Sequence, residues 1–181
     1  MKVEFLEIEG LALITPQVFT DDRGYFLETF HYEKFKQAVK SYEFVQDNES
    51  ASALHTLRGL HFQAPPYDQG KLVRVIKGKA LDVAVDIRKS SPTYGRHFVV
   101  LLDDIKKQQF WIPPGFAHGF LSIEENTIFA YKCTAYYHRE SEYCIRWDDP
   151  QLAIDWQVKD PLISEKDKKG LPFHLLDSPF L

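Results

Sequence analysis

The chain has 181 residues, of which 44% are hydrophobic, and a formal net charge of -4 at pH 7. This length and composition suit one domain with a sizeable core, covering residues 1–181. No run of like charges marks a polyanion-binding surface, so we expect no nucleic-acid partner. Charged residues (Glu4, Glu7, Glu9) stand where a signal peptide needs an apolar core, and no uncharged stretch spans about 18 residues. We therefore expect a cytoplasmic protein without a membrane partner.

Composition favours a β-rich fold. Aromatic residues make up 14% of the chain and methionine occurs once, which suits packed strands better than a helical bundle. The two cysteines, Cys133 and Cys144, are expected as reduced thiols, because a chain of this size needs no disulfide to stabilise its core.

Many short strand-like runs follow one another along the chain, with turn residues between them. The predicted strands cover 11–19, 24–30, 44–48, 56–63, 71–76, 81–88, 97–102, 109–112, 120–123 and 127–137. Helical spacing appears only at 32–40 and 164–169, the latter followed by Gly170 as a stop signal. The pattern predicts a mainly β jelly roll with a few short helices.

The strand at 81–88 has the clearest periodicity. Apolar residues alternate with Asp82, Ala84, Asp86 and Arg88, which predicts a half-buried strand. It follows the run at 71–76 after Lys77-Gly78-Lys79, so we expect the two strands to form a β-hairpin.

Two histidines are candidates for chemistry. His61 lies in the apolar strand at 56–63, where a histidine bonded to a backbone carbonyl would be the ordinary explanation. His118 follows a tight turn at 113–115 and could be a loop histidine. Strict alternation would put Arg58 and His61 on opposite faces, so a shared pocket requires a bulge, for which Gly59 is the expected position.

Three further polar residues have positions that could serve a site. Lys71 shares a face with Val73 and Val75, although a lysine at a strand end often extends to water. Tyr131 shares a face with its alternate neighbours Phe129, Cys133 and Tyr137, which is also consistent with a core tyrosine. Asp167 ends a Ser164-Glu165-Lys166-Asp167 run that matches a capping box.

The sequence argues against a catalytic metal and against a phosphate-binding loop. The second position after His61 is Gln63, and an amide is a poor substitute for an imidazole ligand. No Cys/His cluster with zinc spacing and no Gly-rich phosphate loop occur, so we expect no cofactor and a nucleotide held by side chains.

Taken together, the motifs resemble the dTDP-4-dehydrorhamnose 3,5-epimerases, a family of cupin-type homodimers, over nearly the whole chain. The matching segments, in chain order, are Asp22-Arg23-Gly24-Tyr25-Phe26-Leu27-Glu28, Gln46-Asp47-Asn48, Arg58-Gly59-Leu60-His61-Phe62-Gln63, Lys71, Pro113-Pro114-Gly115-Phe116-Ala117-His118-Gly119-Phe120, Tyr131-Lys132, Ile145-Arg146-Trp147-Asp148-Asp149-Pro150 and Ser164-Glu165-Lys166-Asp167. Each is weak alone, but their order and spacing are specific.

The resemblance implies a cupin-type jelly-roll barrel and an isomerase. It would epimerise C3 and C5 of dTDP-4-dehydro-6-deoxy-D-glucose to give dTDP-4-dehydro-L-rhamnose, in deoxysugar biosynthesis. By the same resemblance His61 is the base, Asp167 orients it, and Tyr131 is the acid on the opposite face. Lys71 is the expected donor to the enolate oxygen, which needs a positive charge in place before reaction.

The resemblance also implies a substrate-binding set and a two-fold dimer whose pockets are completed by the partner subunit. The expected substrate-binding residues are Arg23, Phe26, Glu28, Gln46, Asn48, Arg58, His118, Tyr137, Glu142 and Lys166.

Four alternatives remain open from the sequence. A related enzyme could invert only C3 or only C5, and a cupin isomerase could act on the same nucleotide sugar. A non-catalytic cupin could bind a small ligand or a partner, and a metal-dependent oxygenase could share the fold.

Overall fold

The computed structural model describes residues 1–181, which form mainly antiparallel β-strands. The strands are β1 (Lys2–Phe5), β2 (Ala12–Thr15), β3 (Val18–Asp21), β4 (Gly24–Leu27), β5 (Gln46–Ser52), β6 (Thr56–Gln63), β7 (Lys71–Lys77), β8 (Lys79–Asp86), β9 (His97–Asp103), β10 (Gln109–Ile112), β11 (Phe116–Ser122), β12 (Thr127–Cys133), β13 (Glu142–Cys144) and β14 (Leu162–Ile163). One α-helix, α1 (Tyr32–Ala38), lies between β4 and β5, and short 3-10 turns cover Arg139–Ser141, Asp167–Lys169 and Phe173–Leu175. The predicted mainly β jelly roll with a few short helices is confirmed.

The strands pair into two large sheets and one small one. The first sheet has the order β1-β2-β10-β7-β12-β5. The second has the order β13-β6-β11-β8-β9, with β14 added in parallel beside β6. Strands β3 and β4 pair only with each other.

The two large sheets face each other across an apolar core. Buried side chains from both meet there, including Val73, Phe110 and Phe129 of the first sheet and Ala84 and Phe120 of the second. The rings of Phe120 and Phe129 stack with centroids 4.0 Å apart, which joins the sheets directly.

Each sheet is also covered on its outer face. On the second sheet, Leu57, Val83 and Val85 pack against C-terminal residues that include Trp156 and Phe173. On the first sheet, α1 places Phe35 against Trp111, with ring centroids 5.2 Å apart. Both faces of the central strands are therefore buried.

This double coverage corrects the expectation for β8. The strand is not half-buried, because residues 80–86 are buried on both faces. The apolar residues of the alternation face the C-terminal segment, while Asp82 and Ala84 face the interior between the sheets. The alternation separates two buried environments instead of core and solvent.

The predicted hairpin between β7 and β8 is wrong. Strand β7 pairs with β10 and β12, and β8 pairs with β9 and β11, so the turn at Gly78 carries the chain from the first sheet to the second. Gly78 adopts φ +82, where an added Cβ would approach Thr127 Oγ1 to 2.8 Å. A left-handed glycine permits this sharp crossing.

Several strand bounds differ from those predicted. The run at 11–19 divides into β2 and β3 around Pro16, and β12 ends at Cys133, so strand alternation does not reach Tyr137. Strand β11 begins at Phe116, which places His118 inside a buried strand and not in a loop. No helix in the structure has the length and apolarity needed to cross a bilayer.

Candidate active site

An open cleft between the two sheets collects most of the residues singled out in the sequence. One part of this cleft has a volume of about 340 Å³. It is lined by Arg58, His61, Lys71, His118, Tyr131, Glu142, Lys166 and Asp167. An adjoining pocket shares His61, Lys71, Tyr131 and Glu142 and adds Gln46, Asn48 and Tyr137. All four proposed catalytic residues therefore lie in one place.

A bulge in β6 brings Arg58 and His61 to the same cleft. His61 pairs with His118 of β11 and Arg58 pairs with Phe120, so β6 carries one residue more than its partner over this interval. Gly59 has φ +126, and a Cβ there would lie 2.5 Å from Gly119 Cα. The predicted bulge at Gly59 is confirmed, since both side chains line the cleft.

His61 and Asp167 form a hydrogen-bonded pair across 106 residues of sequence. The Nε2 of His61 lies 2.7 Å from Asp167 Oδ1. A carboxylate only accepts hydrogen bonds, so Nε2 carries the proton of the neutral imidazole and Nδ1 keeps its lone pair. The arrangement leaves His61 able to accept a proton at Nδ1.

Asp167 is fixed by its neighbours and is nearly inaccessible to solvent. Its Oδ2 accepts the Gly59 N–H at 3.3 Å, and its own N–H donates to Ser164 Oγ at 3.0 Å. Burial alone would raise the pKa of Asp167, but the hydrogen bonds that its carboxylate accepts from His61 and Gly59 help to outweigh burial, and the pKa is lowered. The carboxylate therefore stays ionised beside the imidazole. The predicted capping box is only half formed, because Ser164 Oγ accepts the Asp167 N–H while the Asp167 carboxylate turns to His61 and Gly59 and the short 3-10 helix begins at Asp167.

Lys71 and Tyr131 approach the cleft from the first sheet. Lys71 pairs with Cys133 and Tyr131 pairs with Val73, so the four side chains share the inner face of that sheet, as predicted. Burial lowers the pKa of the Lys71 ammonium, although Cys133, Glu142 and Asp82 oppose the change. Burial, with smaller contributions from Cys133 and Glu142, raises the pKa of the Tyr131 phenol, which keeps its proton available for donation.

His118 forms a second histidine–aspartate pair deeper in the cleft. Its Nε2 lies 3.0 Å from both carboxylate oxygens of Asp82, whose side chain is fully buried. Since a buried charge needs a partner, His118 is held in place by this contact as well as by the strand. Asp82 was not among the predicted site residues. Its only sequence signal was its polar position in the alternation of β8.

Glu142 lies at the centre of a polar cluster where the two parts of the cleft adjoin. Its Oε2 accepts a hydrogen bond from Tyr137 at 2.7 Å and forms an ion pair with Lys166. Burial would raise the pKa of Glu142, but these two donors outweigh it and lower the pKa. Nearby, the side-chain amide of Gln46 donates through Nε2 to Asn48 Oδ1 at 3.0 Å. The side-chain oxygen of Gln46, Oε1, accepts the backbone N–H of Tyr137. All five residues are in the predicted substrate-binding set.

Three predicted binding residues do not reach this cleft within the chain. Arg23 forms an exposed ion pair with Asp21, and Glu28 pairs with Lys34. Phe26 is 69% exposed on the small β3–β4 sheet. The single subunit thus leaves this group on a separate surface.

Comparison with known proteins identifies the family. The family description "dTDP-4-dehydrorhamnose 3,5-epimerase" matches residues 5–174. A dTDP-4-dehydrorhamnose 3,5-epimerase from Methanothermobacter thermautotrophicus is 51% identical over 168 residues, covering 91% of this chain and 90% of that protein. The enzyme of the same name from Shigella flexneri is 48% identical over 174 residues, 96% of each chain. The chain belongs to the dTDP-4-dehydrorhamnose 3,5-epimerase family.

Solved structures of this family share the fold described above. The dTDP-6-deoxy-D-glucose-3,5-epimerase from Legionella pneumophila, crystallised with dTDP-4-keto-L-rhamnose, has a TM-score of 0.94 and 46% identity, with 97% of this chain and 94% of that chain covered. A 3'-monoepimerase from Streptomyces bikiniensis in complex with dTDP-quinovose has a TM-score of 0.87 and 32% identity, covering 92% and 85%. The cupin-type epimerase fold therefore accommodates both double and single epimerases.

Proposed function

We propose that this member of the dTDP-4-dehydrorhamnose 3,5-epimerase family epimerises C3 and C5 of dTDP-4-dehydro-6-deoxy-D-glucose, giving dTDP-4-dehydro-L-rhamnose. The observation that carries the proposal is the placement of the His61–Asp167 pair on one sheet and of Lys71 and Tyr131 on the other, all facing one cleft. This arrangement supplies a base, an acid and a positive charge around a bound keto-sugar.

His61 is the base in this scheme. Protons on carbons next to a ketone are weakly acidic, and histidine is the side chain that most often serves as a general base for such proton transfers. Asp167 accepts the Nε2–H and stabilises the imidazolium that forms when Nδ1 takes the proton. The Gly59 N–H holds the carboxylate and Ser164 Oγ holds the Asp167 backbone N–H, so the base is oriented before the substrate arrives.

Lys71 stabilises the intermediate. Proton removal moves negative charge onto the ketone oxygen, and a donor already in place stabilises that charge without reorganisation. The Lys71 ammonium is half-buried at the start of β7 and lines both parts of the cleft. A positive charge in a water-poor site acts more strongly than one in solvent.

Tyr131 returns a proton from the other side. Inversion requires the new proton to arrive on the face opposite the base, because a base that returns its own proton restores the starting configuration. Tyr131 belongs to the first sheet and His61 to the second, so a sugar bound between them has one group on each face. The raised pKa of Tyr131 keeps the phenol protonated until it is used.

The remaining cleft residues have charges that suit a nucleoside diphosphate. Arg58 and Lys166 provide positive charge for the pyrophosphate, and Tyr137 offers an exposed ring for the base. Gln46, Asn48, His118 and Glu142 offer hydrogen bonds to base edges and sugar hydroxyls. The crystal structure of the Legionella enzyme with dTDP-4-keto-L-rhamnose supports a substrate of this class.

We also propose that Arg23, Phe26 and Glu28 serve the site of a second subunit in a homodimer. The β3–β4 pair has only two strands, a size that is marginally stable alone, and it exposes Phe19, Tyr25 and Phe26. Packing this hairpin against a partner would bury those rings. It would also bring three polar or aromatic side chains to a cleft that they cannot reach in their own chain.

A mixing experiment tests this arrangement. Arg23→Ala and His61→Ala variants are each expected to be weakly active alone. When the two variants are unfolded and refolded together, a heterodimer has one intact site, made from His61 of the Arg23→Ala subunit and Arg23 of the His61→Ala subunit. A 1:1 mixture then recovers up to about a quarter of the wild-type activity, since half of the random dimers are mixed and each has one intact site. Activity that stays at the mean of the two variants would place Arg23 outside the partner's site.

The reaction itself is tested in heavy water. The protein is incubated with dTDP-4-dehydro-6-deoxy-D-glucose, and NMR follows deuterium at C3 and C5 together with the final ring configuration. Deuterium and inversion at both carbons are expected. Deuterium at only one carbon would favour a single epimerase, the activity named for the Streptomyces bikiniensis relative, and no exchange would reject this substrate.

A further inference from the structure

Cys144 lies beside the His61–Asp167 pair and has no part in the proposed reaction. It pairs with His61 across β13 and β6. The adjacent residues Leu60 and Ile145 exchange both backbone hydrogen bonds, at 3.1 and 2.9 Å. The pair of His61 and Cys144 is therefore of the non-hydrogen-bonded kind, in which facing side chains approach most closely. Their side chains extend to the same face of the sheet.

The three side chains form a compact set of metal-binding atoms. Cys144 Sγ is 4.0 Å from Asp167 Oδ1, which is itself 2.7 Å from His61 Nε2, and all three atoms lie within 4.8 Å of one another. Ligand atoms around tetrahedral Zn²⁺, bound at about 2.0 to 2.3 Å, lie about 3.3 to 3.7 Å apart. The His61–Asp167 contact would lengthen slightly and the cysteine contact would shorten slightly to meet this geometry.

The chemistry of the donors selects the kind of ion. One thiol, one imidazole and one carboxylate form a set that binds Zn²⁺ and other thiophilic cations better than Mg²⁺ or Ca²⁺, which prefer oxygen alone. Burial and the Asp167 carboxylate raise the pKa of the Cys144 thiol to about 12, so without a cation the sulfur stays protonated. A bound cation provides the positive charge that a thiolate lacks here.

We propose that His61, Cys144 and Asp167 form an inhibitory Zn²⁺ site, in which the metal binds the catalytic histidine and stops the epimerase reaction. Three protein ligands leave the fourth tetrahedral position open towards water or substrate. The metal replaces the proton on His61 Nε2, and the neutral ring carries its proton on Nδ1 instead. The thiol proton leaves to solvent, so one proton is released for each ion bound.

Inhibition follows from the change of tautomer. With Nδ1 protonated, His61 has no lone pair to accept a proton from the sugar, and Asp167 is occupied by the metal. This inference relies on the proposed function only for its activity measurement. Metal binding can be followed separately, so a failure of the site and a failure of the assigned reaction are distinguishable.

Co²⁺ absorption tests the site directly. Co²⁺ substitutes for Zn²⁺, and a thiolate ligand gives an intense near-ultraviolet charge-transfer band. The wild-type protein is expected to show this band. Cys144→Ser and Cys144→Ala are both expected to lack it, and either variant alone is enough for the test if the other does not fold. Cys133→Ser is the matched control, since it removes the only other thiol in the chain, and it is expected to keep the band. Asp167→Asn should weaken Co²⁺ binding while keeping a thiolate band at saturation.

Zn²⁺ titration of the reaction gives the second measurement. Zn²⁺ should inhibit the wild type reversibly, with activity restored by a chelator, and Cys144→Ser should need at least about 10- to 100-fold more Zn²⁺ for the same fractional inhibition of its own rate. Equal inhibition of the wild type and of Cys144→Ser by Zn²⁺ would overturn the proposal. A Co²⁺ band that disappears in Cys133→Ser would overturn it as well. Absence of a charge-transfer band in the wild type would overturn it even if the substrate had been assigned wrongly.

Discussion

His61 and Tyr131 belong to opposite sheets and line the same cleft, one on β6 and the other on β12. A sugar between them is therefore contacted from two sides. Tyr131→Phe removes only the hydroxyl, so proton abstraction by His61 should persist while completed inversion falls, by about 10²- to 10⁴-fold for loss of a general acid. NMR in heavy water measures solvent exchange and product configuration in the same sample.

The matched control for this variant is Tyr143→Phe. Tyr143 is half exposed and stacks on Phe62 without a hydrogen bond from its hydroxyl, so both exchange and inversion should continue at the wild-type rate. Loss of exchange together with inversion in Tyr131→Phe would contradict the separate roles and would indicate that Tyr131 positions the sugar.

Lys71→Ala should reduce kcat by about 10²- to 10³-fold, because it removes the donor that faces the developing enolate oxygen. Steady-state kinetics with the keto-sugar provide the measurement. Lys77→Ala is the control, since Lys77 lies at the exposed end of the same strand and should leave kcat unchanged. Turnover of Lys71→Ala within a few-fold of the wild type would reject the role.

The sequence was sufficient to predict the fold class, the bulge at Gly59 and the shared faces of β7 and β12. The shared faces follow from local alternation, and the bulge follows from the expectation that Arg58 and His61, which alternation would put on opposite faces, line one pocket with Gly59 between them. The pairing of Asp167 with His61 came from family resemblance, because no local pattern connects residues 106 positions apart. The Asp82–His118 pair was missed for the same reason.

Strand partners were predicted less well than strand positions. The turn Lys77-Gly78-Lys79 could equally form a hairpin within one sheet or carry the chain from one sheet to the other. Which of the two forms depends on the distant strands that pair with β7 and β8. Burial of β8 on both faces likewise depends on the C-terminal segment, which packs against it from more than 60 residues away. The short edge strands β1 and β13 have too few residues to show a period.

Gly59→Ala should destabilise the fold and displace the catalytic base. A Cβ at Gly59 would lie 2.5 Å from Gly119 Cα and 2.7 Å from His118 O, and both contacts are with backbone atoms that cannot rotate away. Gly24→Ala is the matched control, because Gly24 has a similar φ of +128 but no atom within 4 Å of the added Cβ. Urea unfolding should show Gly59→Ala to be less stable than Gly24→Ala by at least about 2 kcal/mol. Equal losses would mean that backbone strain alone decides the effect.

Asp86 should make the stability of the protein depend on pH in the acid range. Its fully buried carboxylate accepts hydrogen bonds from Arg88, Ser91 and Thr93, at 2.6 to 3.0 Å. Burial would raise the pKa of Asp86, but these donors outweigh it and lower the pKa. Because the folded-state pKa is below the unfolded value of about 3.9, the stabilisation is complete above that value and is lost as pH falls through the folded-state pKa.

Asp86→Asn should therefore lower the free energy of unfolding at pH 7 by about 2 to 4 kcal/mol, somewhat less than for a fully buried pair because Arg88 keeps 23% of its side-chain surface exposed. The deficit should shrink as pH falls below about 4, where the wild-type carboxyl also becomes neutral. Urea unfolding followed by tryptophan fluorescence between pH 7 and pH 3 measures both quantities. Asp177→Asn is the control, since that carboxylate is 95% exposed beside Lys89 and its loss should change stability little. A deficit that stays constant through the acid range would show that Asp86 acts through packing and not through its charge.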